Sequence, residues 1–170
     1  ARTAAFSTYP IGSFSNAGLF VLCILMFIGA SPGSTGGGIK TSTFFVLFQS
    51  ARSMFSKKQI AAFKRGISGK TVATASSITI LSLGVVCVGT FLMCVLEPEY
   101  ELIQLLFEVI SAFGTVGLST GITPDLSVGG KLVIILIMFI GRLGAMTLIS
   151  MWVDHPEPNV HYTEGTITIG

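Results

Sequence analysis

The sequence predicts an all-α integral membrane protein built from tandem repeats. Each repeat is a helix, a half-length re-entrant helix, a loop and a second helix, and one transmembrane helix is broken by a Gly-rich intramembrane loop. Three observations carry this. The chain is 51% hydrophobic and 11% charged, with a mean hydropathy of +0.80, whereas soluble domains carry roughly 25% charged residues. It also repeats itself at one fixed offset of 112 residues, from Thr3 to Thr115. Thr3-Ala-Ala-Phe-Ser-Thr8 is answered by Thr115-Val-Gly-Leu-Ser-Thr120, and Met26-Phe-Ile-Gly29 by Met138-Phe-Ile-Gly141; such periodicity marks two copies of one structural unit. Finally, Gly29-Ala-Ser-Pro-Gly-Ser-Thr-Gly-Gly-Gly38 cuts an apolar region that otherwise runs from Ala17 to Phe48.

The elements follow in order. The broken region comes first, then a polar connection over residues 52–70. Thr71 to Leu96 is uncharged and exceeds the ~20 residues that span a bilayer as a helix. Leu102 to Phe113 is an apolar run with Glu108 inside it and too short to span, which suits a re-entrant helix. Residues 128–153 predict a second span, interrupted only by Lys131 and Arg142. Arg52, Lys57, Lys58, Lys64, Arg65 and Lys70 crowd into the first connection, whereas Glu97, Glu99 and Glu101 occupy the next. The positive-inside rule therefore places residues 52–70 and the tail from Asp154 in the cytoplasm, and 97–127 outside. Two crossings per unit keep successive units in the same orientation, as a parallel repeat requires. The predicted organisation is the end of one repeat over 1–55, a cytoplasmic loop over 56–70, a complete repeat over 71–153 and a cytoplasmic tail over 154–170. The loop-like stretch right after Ala1 leads us to expect that a longer protein precedes it.

Several functional classes are excluded. The odd set Cys23, Cys87 and Cys94 lies in apolar runs and fits neither a disulfide framework nor a metal site. His155 and His161 have poor ligand spacing. A net charge of +2 gives no reason to expect nucleic acid as a partner. No Ser/His/Asp set or carboxylate pair suggests catalysis, so the chain reads as no enzyme and needs no cofactor. Gly33-Ser-Thr-Gly-Gly-Gly-Ile-Lys40-Thr41 is near a phosphate-binding loop, but Ile39 separates the glycine from the lysine and no strand precedes it.

Residues 114–121, Gly-Thr-Val-Gly-Leu-Ser-Thr-Gly, follow the half-length helix. Irregular backbone at membrane depth is tolerated only where it is buried in protein or lines an aqueous cavity. Carbonyl oxygens of such a run can replace the hydration shell of potassium, and the partially negative C-terminus of the preceding helix favours a cation there. Gly117 suits this role because it can adopt positive φ. At the other break, a glycine-rich interruption frees carbonyls that need partners. Arg142 lies near the middle of the last apolar stretch, where an unpaired arginine costs at least ~2.5–3.5 kcal/mol. The freed carbonyls are its expected partner, and Lys40 flanks the same break.

Arg2-Thr-Ala-Ala-Phe-Ser-Thr8, Ser31-Pro-Gly-Ser-Thr-Gly-Gly-Gly-Ile-Lys-Thr41, Ser111-Ala-Phe-Gly-Thr-Val-Gly-Leu-Ser-Thr-Gly121 and Met138-Phe-Ile-Gly-Arg-Leu-Gly144 resemble the Ktr/Trk/HKT cation transporter superfamily, in particular its KtrB-type membrane subunits. The resemblance implies tandem helix–pore helix–filter loop–helix repeats, four around one pathway, of which this chain holds the end of the third and the whole fourth. It implies potassium translocation across the plasma membrane, with K+ held at Thr3, Ala4 and Ala5 and at Thr115, Val116 and Gly117. The implied gate comprises Gly33, Ser34, Thr35, Gly36, Gly37, Gly38, Lys40 and Arg142. It also implies a homodimer of the membrane subunit, with its interface at the C-terminal tail, and a cytosolic nucleotide-binding regulatory ring against the basic face. Besides the bilayer, that face could also touch anionic lipid.

The alternatives are a sodium-permeable or poorly selective transporter and a non-conducting membrane scaffold. Ala5 motivates the former, because it stands where the family pattern has glycine, and alanine at positive φ costs on the order of 1 kcal/mol. We therefore predict that Ala5→Gly in the full-length protein sharpens discrimination of potassium over sodium; unchanged flux selectivity would remove this explanation.

Overall fold

The structure, a computed structural model, describes residues 9–34, 36–56, 61–62 and 65–144. A short 3-10 turn, Ile11–Ser13, leads into α1, Asn16–Phe27. The chain then breaks and resumes as α2, Thr41–Ser56. A two-residue antiparallel ladder pairs β1, Ala61–Ala62, with β2, Arg65–Gly66. This small sheet lies in the basic connection, where no regular structure is expected from the sequence. Then come α3, Gly69–Leu96, α4, Leu102–Phe113, and α5, Val128–Leu143.

Composition and caps explain the boundaries. The 28 residues of α3 extend about 42 Å at 1.5 Å per residue, enough to cross a bilayer. α4 begins in a capping box between Glu101 and Gln104, which satisfies two backbone donors at once. It ends at Gly114, whose N–H donates to the Ile110 carbonyl at 2.8 Å. Its range coincides with the short apolar run seen in the sequence.

α4 is also the centre of the packing. Every residue from Phe107 to Phe113 is buried, and the helix is flanked by α1, α3 and α5. Phe113 stacks on Phe27 of α1 with ring centroids 6.1 Å apart. The outer faces carry bulky apolar side chains in the open, among them Ile80, Phe91, Ile135 and Phe139. Exposure of that extent is what hydrocarbon or further protein would cover, not water.

The repeat is visible in the capping. Ser15 Oγ accepts from the Gly18 N–H at 3.3 Å and Ser127 Oγ from the Gly130 N–H at 3.1 Å, so α1 and α5 start at equivalent positions. They end differently. α1 stops at Phe27, whereas α5 runs through the equivalent Phe139 to Leu143 and ends at Gly144, with φ of 84°. The expected uninterrupted span over 128–153 is thus corrected within the described residues. Arg142 sits in the last turn of a 16-residue helix, where the helix dipole favours a cation.

Gly141 shows why α5 approaches so closely: a Cβ there would overlap the Phe113 carbonyl oxygen. Gly84 in α3 has open space instead. Gly141→Ala is expected to destabilise the fold by about 1–3 kcal/mol through overpacking, while Gly84→Ala leaves it unchanged or slightly more stable. Thermal unfolding in detergent distinguishes the two, and equal midpoints would contradict the packing described.

Candidate functional site

The broken helix closes on itself before it continues. Ile28 and Ile39 form a parallel bridge: the Ile39 N–H donates to the Phe27 carbonyl at 3.2 Å and the Gly29 N–H to the Ile39 carbonyl at 2.5 Å. The Thr41 N–H then donates to the Ala30 carbonyl at 3.2 Å. Residues 29–38 leave and re-enter the helix path at neighbouring points, so α2 resumes where α1 stopped. Gly33 and Gly38 take φ of 85° and 78°, values that side-chain-bearing residues rarely adopt.

Within the loop, Lys40 Nζ donates to the carbonyls of Ser34 at 2.9 Å and Gly36 at 2.8 Å. The lysine supplies what the loop lacks, a donor for carbonyls that helical pairing has abandoned. Among the described residues Arg142 makes no hydrogen bond or ion pair, and its side chain is exposed. Its neighbour Gly141 does meet the loop, its carbonyl lying 3.0 Å from a Cβ built on Gly37.

The second segment begins where α4 ends. Thr115 has φ of 49° and Gly117 of 84°; the glycine is the left-handed residue expected, and the threonine is an addition. A side chain in that region costs on the order of 1–2 kcal/mol, offset here by two hydrogen bonds. The Thr115 N–H donates to the Ala112 carbonyl at 3.0 Å, and Thr115 Oγ1 accepts from the Gly37 N–H at 2.9 Å. The Val116 N–H donates to the Ser111 carbonyl at 2.9 Å, and the Val116 side chain is buried. The glycine-rich loop and the 115–117 segment are therefore in direct contact. That contact requires glycine: a Cβ on Gly37 would lie 2.7 Å from the Phe113 carbonyl oxygen and 3.1 Å from Thr115 Cγ2.

Thr3, Ala4, Ala5 and Thr35 lie outside the described residues, as does the C-terminal tail. The structure brings together Gly36, Gly37, Lys40 and Thr115, with Ser34 held by the lysine. Of the parts absent from the sequence reading, Glu108 is the most consequential. It is 5% exposed, and its carboxylate accepts from Ser119 Oγ, the Thr120 N–H, Thr120 Oγ1 and Thr123 Oγ1 at 2.7–3.2 Å. The signal was an acid alone in an apolar run, followed by a cluster of hydroxyls. Glu97 is a second. Read as an outer-face charge, it is buried and accepts from the Ser127 N–H at 2.7 Å, at the positive end of α5.

Comparison with known proteins gives this geometry its context. Ktr system potassium uptake protein B of Bacillus subtilis is 38% identical over 170 residues, covering 99% of this chain and 38% of that protein. Ktr system potassium uptake protein D of the same organism is 41% identical over 174 residues, with 99% and 38% covered. Potassium/sodium uptake protein NtpJ of Enterococcus hirae is 42% identical over 176 residues, with 99% and 39% covered. The chain thus spans about two fifths of the length of these relatives. Residues 1–162 match the TrkH family, described as cation transport protein. The chain belongs to the TrkH family of cation transport proteins.

Proposed function

We propose that this chain is the C-terminal portion of a potassium-translocating subunit of the plasma membrane, in a family of transporters and not of enzymes. Ions would pass through a filter of backbone carbonyls from Thr3, Ala4 and Ala5 in one quadrant and Thr115, Val116 and Gly117 in another. Gly33–Gly38 with Lys40 and Arg142 would form the gate. The observation that carries this reading is the Gly37–Thr115 hydrogen bond. A filter at the end of a pore helix and a loop touching its first residue are the two parts a gated carbonyl pathway needs.

The physics supports the assignment. The C-terminus of α4 directs its partial negative charge toward the 115–117 segment, and carbonyl dipoles there can take over from hydration water. Lys40 sits on the loop, and a fixed cation beside the pathway raises the electrostatic barrier to another. By the Ktr resemblance, the partners would be a second copy of the membrane subunit and a cytosolic nucleotide-binding ring against residues 52–70. A poorly selective transporter is the second reading, favoured by Ala5 and by the likeness to a protein named for potassium and sodium uptake.

Potassium-limited growth and rubidium uptake in transport-deficient cells carrying the full-length protein test the primary reading; growth without uptake, or neither, would count against it. Gly37→Ala should push the loop off Thr115 and raise basal uptake severalfold per molecule at the membrane, because a Cβ cannot be placed within 3 Å of backbone oxygen without displacement. Unchanged uptake at equal surface abundance would leave the loop no gating role. Arg142→Ala should likewise raise or deregulate flux. Loss of folded protein with normal flux in what remains would instead make Arg142 a structural tie.

A further inference from the structure

Glu108 has no part in the roles assigned above, and its environment is built around it. Oε1 accepts from Ser119 Oγ at 2.7 Å, the Thr120 N–H at 2.9 Å and Thr120 Oγ1 at 3.2 Å; Oε2 accepts from Thr123 Oγ1 at 2.7 Å. All four donors are neutral. One turn along the same helix, Ser111 Oγ donates to the Leu118 carbonyl at 2.5 Å. Residues 118, 119, 120 and 123 are therefore tied back to α4. On the other side of the 115–117 segment, the Gly114, Thr115 and Val116 N–H groups donate to carbonyls of Ile110, Ala112 and Ser111 in that helix. The segment is strung between two anchorages on one helix.

Packing does only part of this work, through the buried Val116 side chain. A half-open pocket of about 230 Å³ adjoins the segment, lined by Glu108, Ser111, Thr115, Gly117, Ser119 and Thr123 among others. Where the loop borders this open space it relies on its hydrogen bonds, and loosening them leaves it room to shift. For a carbonyl cage that matters directly. A cage of fixed spacing favours the ion it fits, whereas one free to contract accommodates a smaller ion as well.

We propose that Glu108 is the positioning residue that sets ion selectivity in this quadrant, acting through Ser119, Thr120 and Thr123 without touching the ion. The inference rests on reading Thr115–Gly117 as a filter. A glutamine can reproduce the network: its oxygen accepts from the Thr120 N–H and Ser119 Oγ, and its amide donates to Thr123 Oγ1. Thr123 can then donate to Ser119 Oγ, 2.8 Å away. Alanine reproduces none of it.

The test measures half-saturation for potassium and for sodium uptake by the full-length protein in transport-deficient cells, with membrane abundance measured in parallel. Glu108→Ala is expected to lower the potassium-over-sodium preference by about fivefold or more, the scale of losing even one well-formed hydrogen bond differentially. Glu108→Gln should keep the preference within about twofold of the parent, since its geometry survives. If Glu108→Ala does not reach the membrane, the Ser119→Ala/Thr123→Val pair removes two of the four donors, one on each oxygen, leaves the acid, and must lower the preference in the same direction. A preference unchanged in these variants, with only abundance or maximal rate reduced, overturns the proposal. So does Glu108→Gln behaving like Glu108→Ala, which would assign the effect to charge and not to position. Gly117→Ala, run alongside, separates the two levels. If it alone alters preference, the filter stands and Glu108 is only structural; if it too leaves preference unchanged, the filter reading itself fails.

Discussion

A helix broken inside hydrocarbon must find a partner for every backbone group it releases, because no water is there to supply one and each orphan costs several kcal/mol. That requirement organises the described structure around residues 28–41. The backbone answers part of it: the Phe27, Ala30 and Ile39 carbonyls are taken by N–H groups from across the break. Lys40 answers a second part, with one ammonium serving two carbonyls. The last part is answered from another repeat, by Thr115 Oγ1. The interruption is thus incomplete without the loop that follows α4, and the loop in turn uses that contact to offset a strained Thr115.

α4 is where these dependencies meet. It is a short helix buried over its C-terminal half, with α1, α3 and α5 packed around it. Two of its polar side chains, Glu108 and Ser111, are buried. Ser111 and Glu108 turn toward the chain that returns past the 115–117 segment, and its last carbonyls receive N–H groups from the turn. A polar network buried this way is favourable only when all members are satisfied, and Glu108 has a donor on each oxygen. The acid in the apolar run is therefore compatible with the fold because the hydroxyls that follow it in sequence curl back over it.

Much of the architecture was legible in the sequence because it depends on periods and lengths. The 112-residue echo gave equivalent starts to α1 and α5, and the apolar run of α4 was bounded to the residue by its flanking Glu101 and Gly114. Side-chain partners were less legible. Lys40 and Arg142 are both cations flanked by apolar stretches, and nothing in a linear pattern says that Lys40 turns back to the loop's carbonyls. Only the bridge at Ile28 and Ile39 puts Lys40 within reach of Ser34 and Gly36. Glu108 was hidden for a related reason, since its donors are 11–15 residues away and meet it only after the chain has turned. The end of α5 at Gly144 was hidden because a left-handed glycine leaves no mark on hydropathy.

The bridge between Ile28 and Ile39 also has a mechanical meaning. Residues 29–38 would ordinarily be slack, a soft spring between two rods. Backbone pairing across the neck of that loop short-circuits the slack, so load on α2 reaches α1 through hydrogen bonds a few ångströms long. The loop itself is left beside the load path. Such a joint lets the loop change shape while the two rods stay coupled in line, and a hinge can act only after the neck itself unzips.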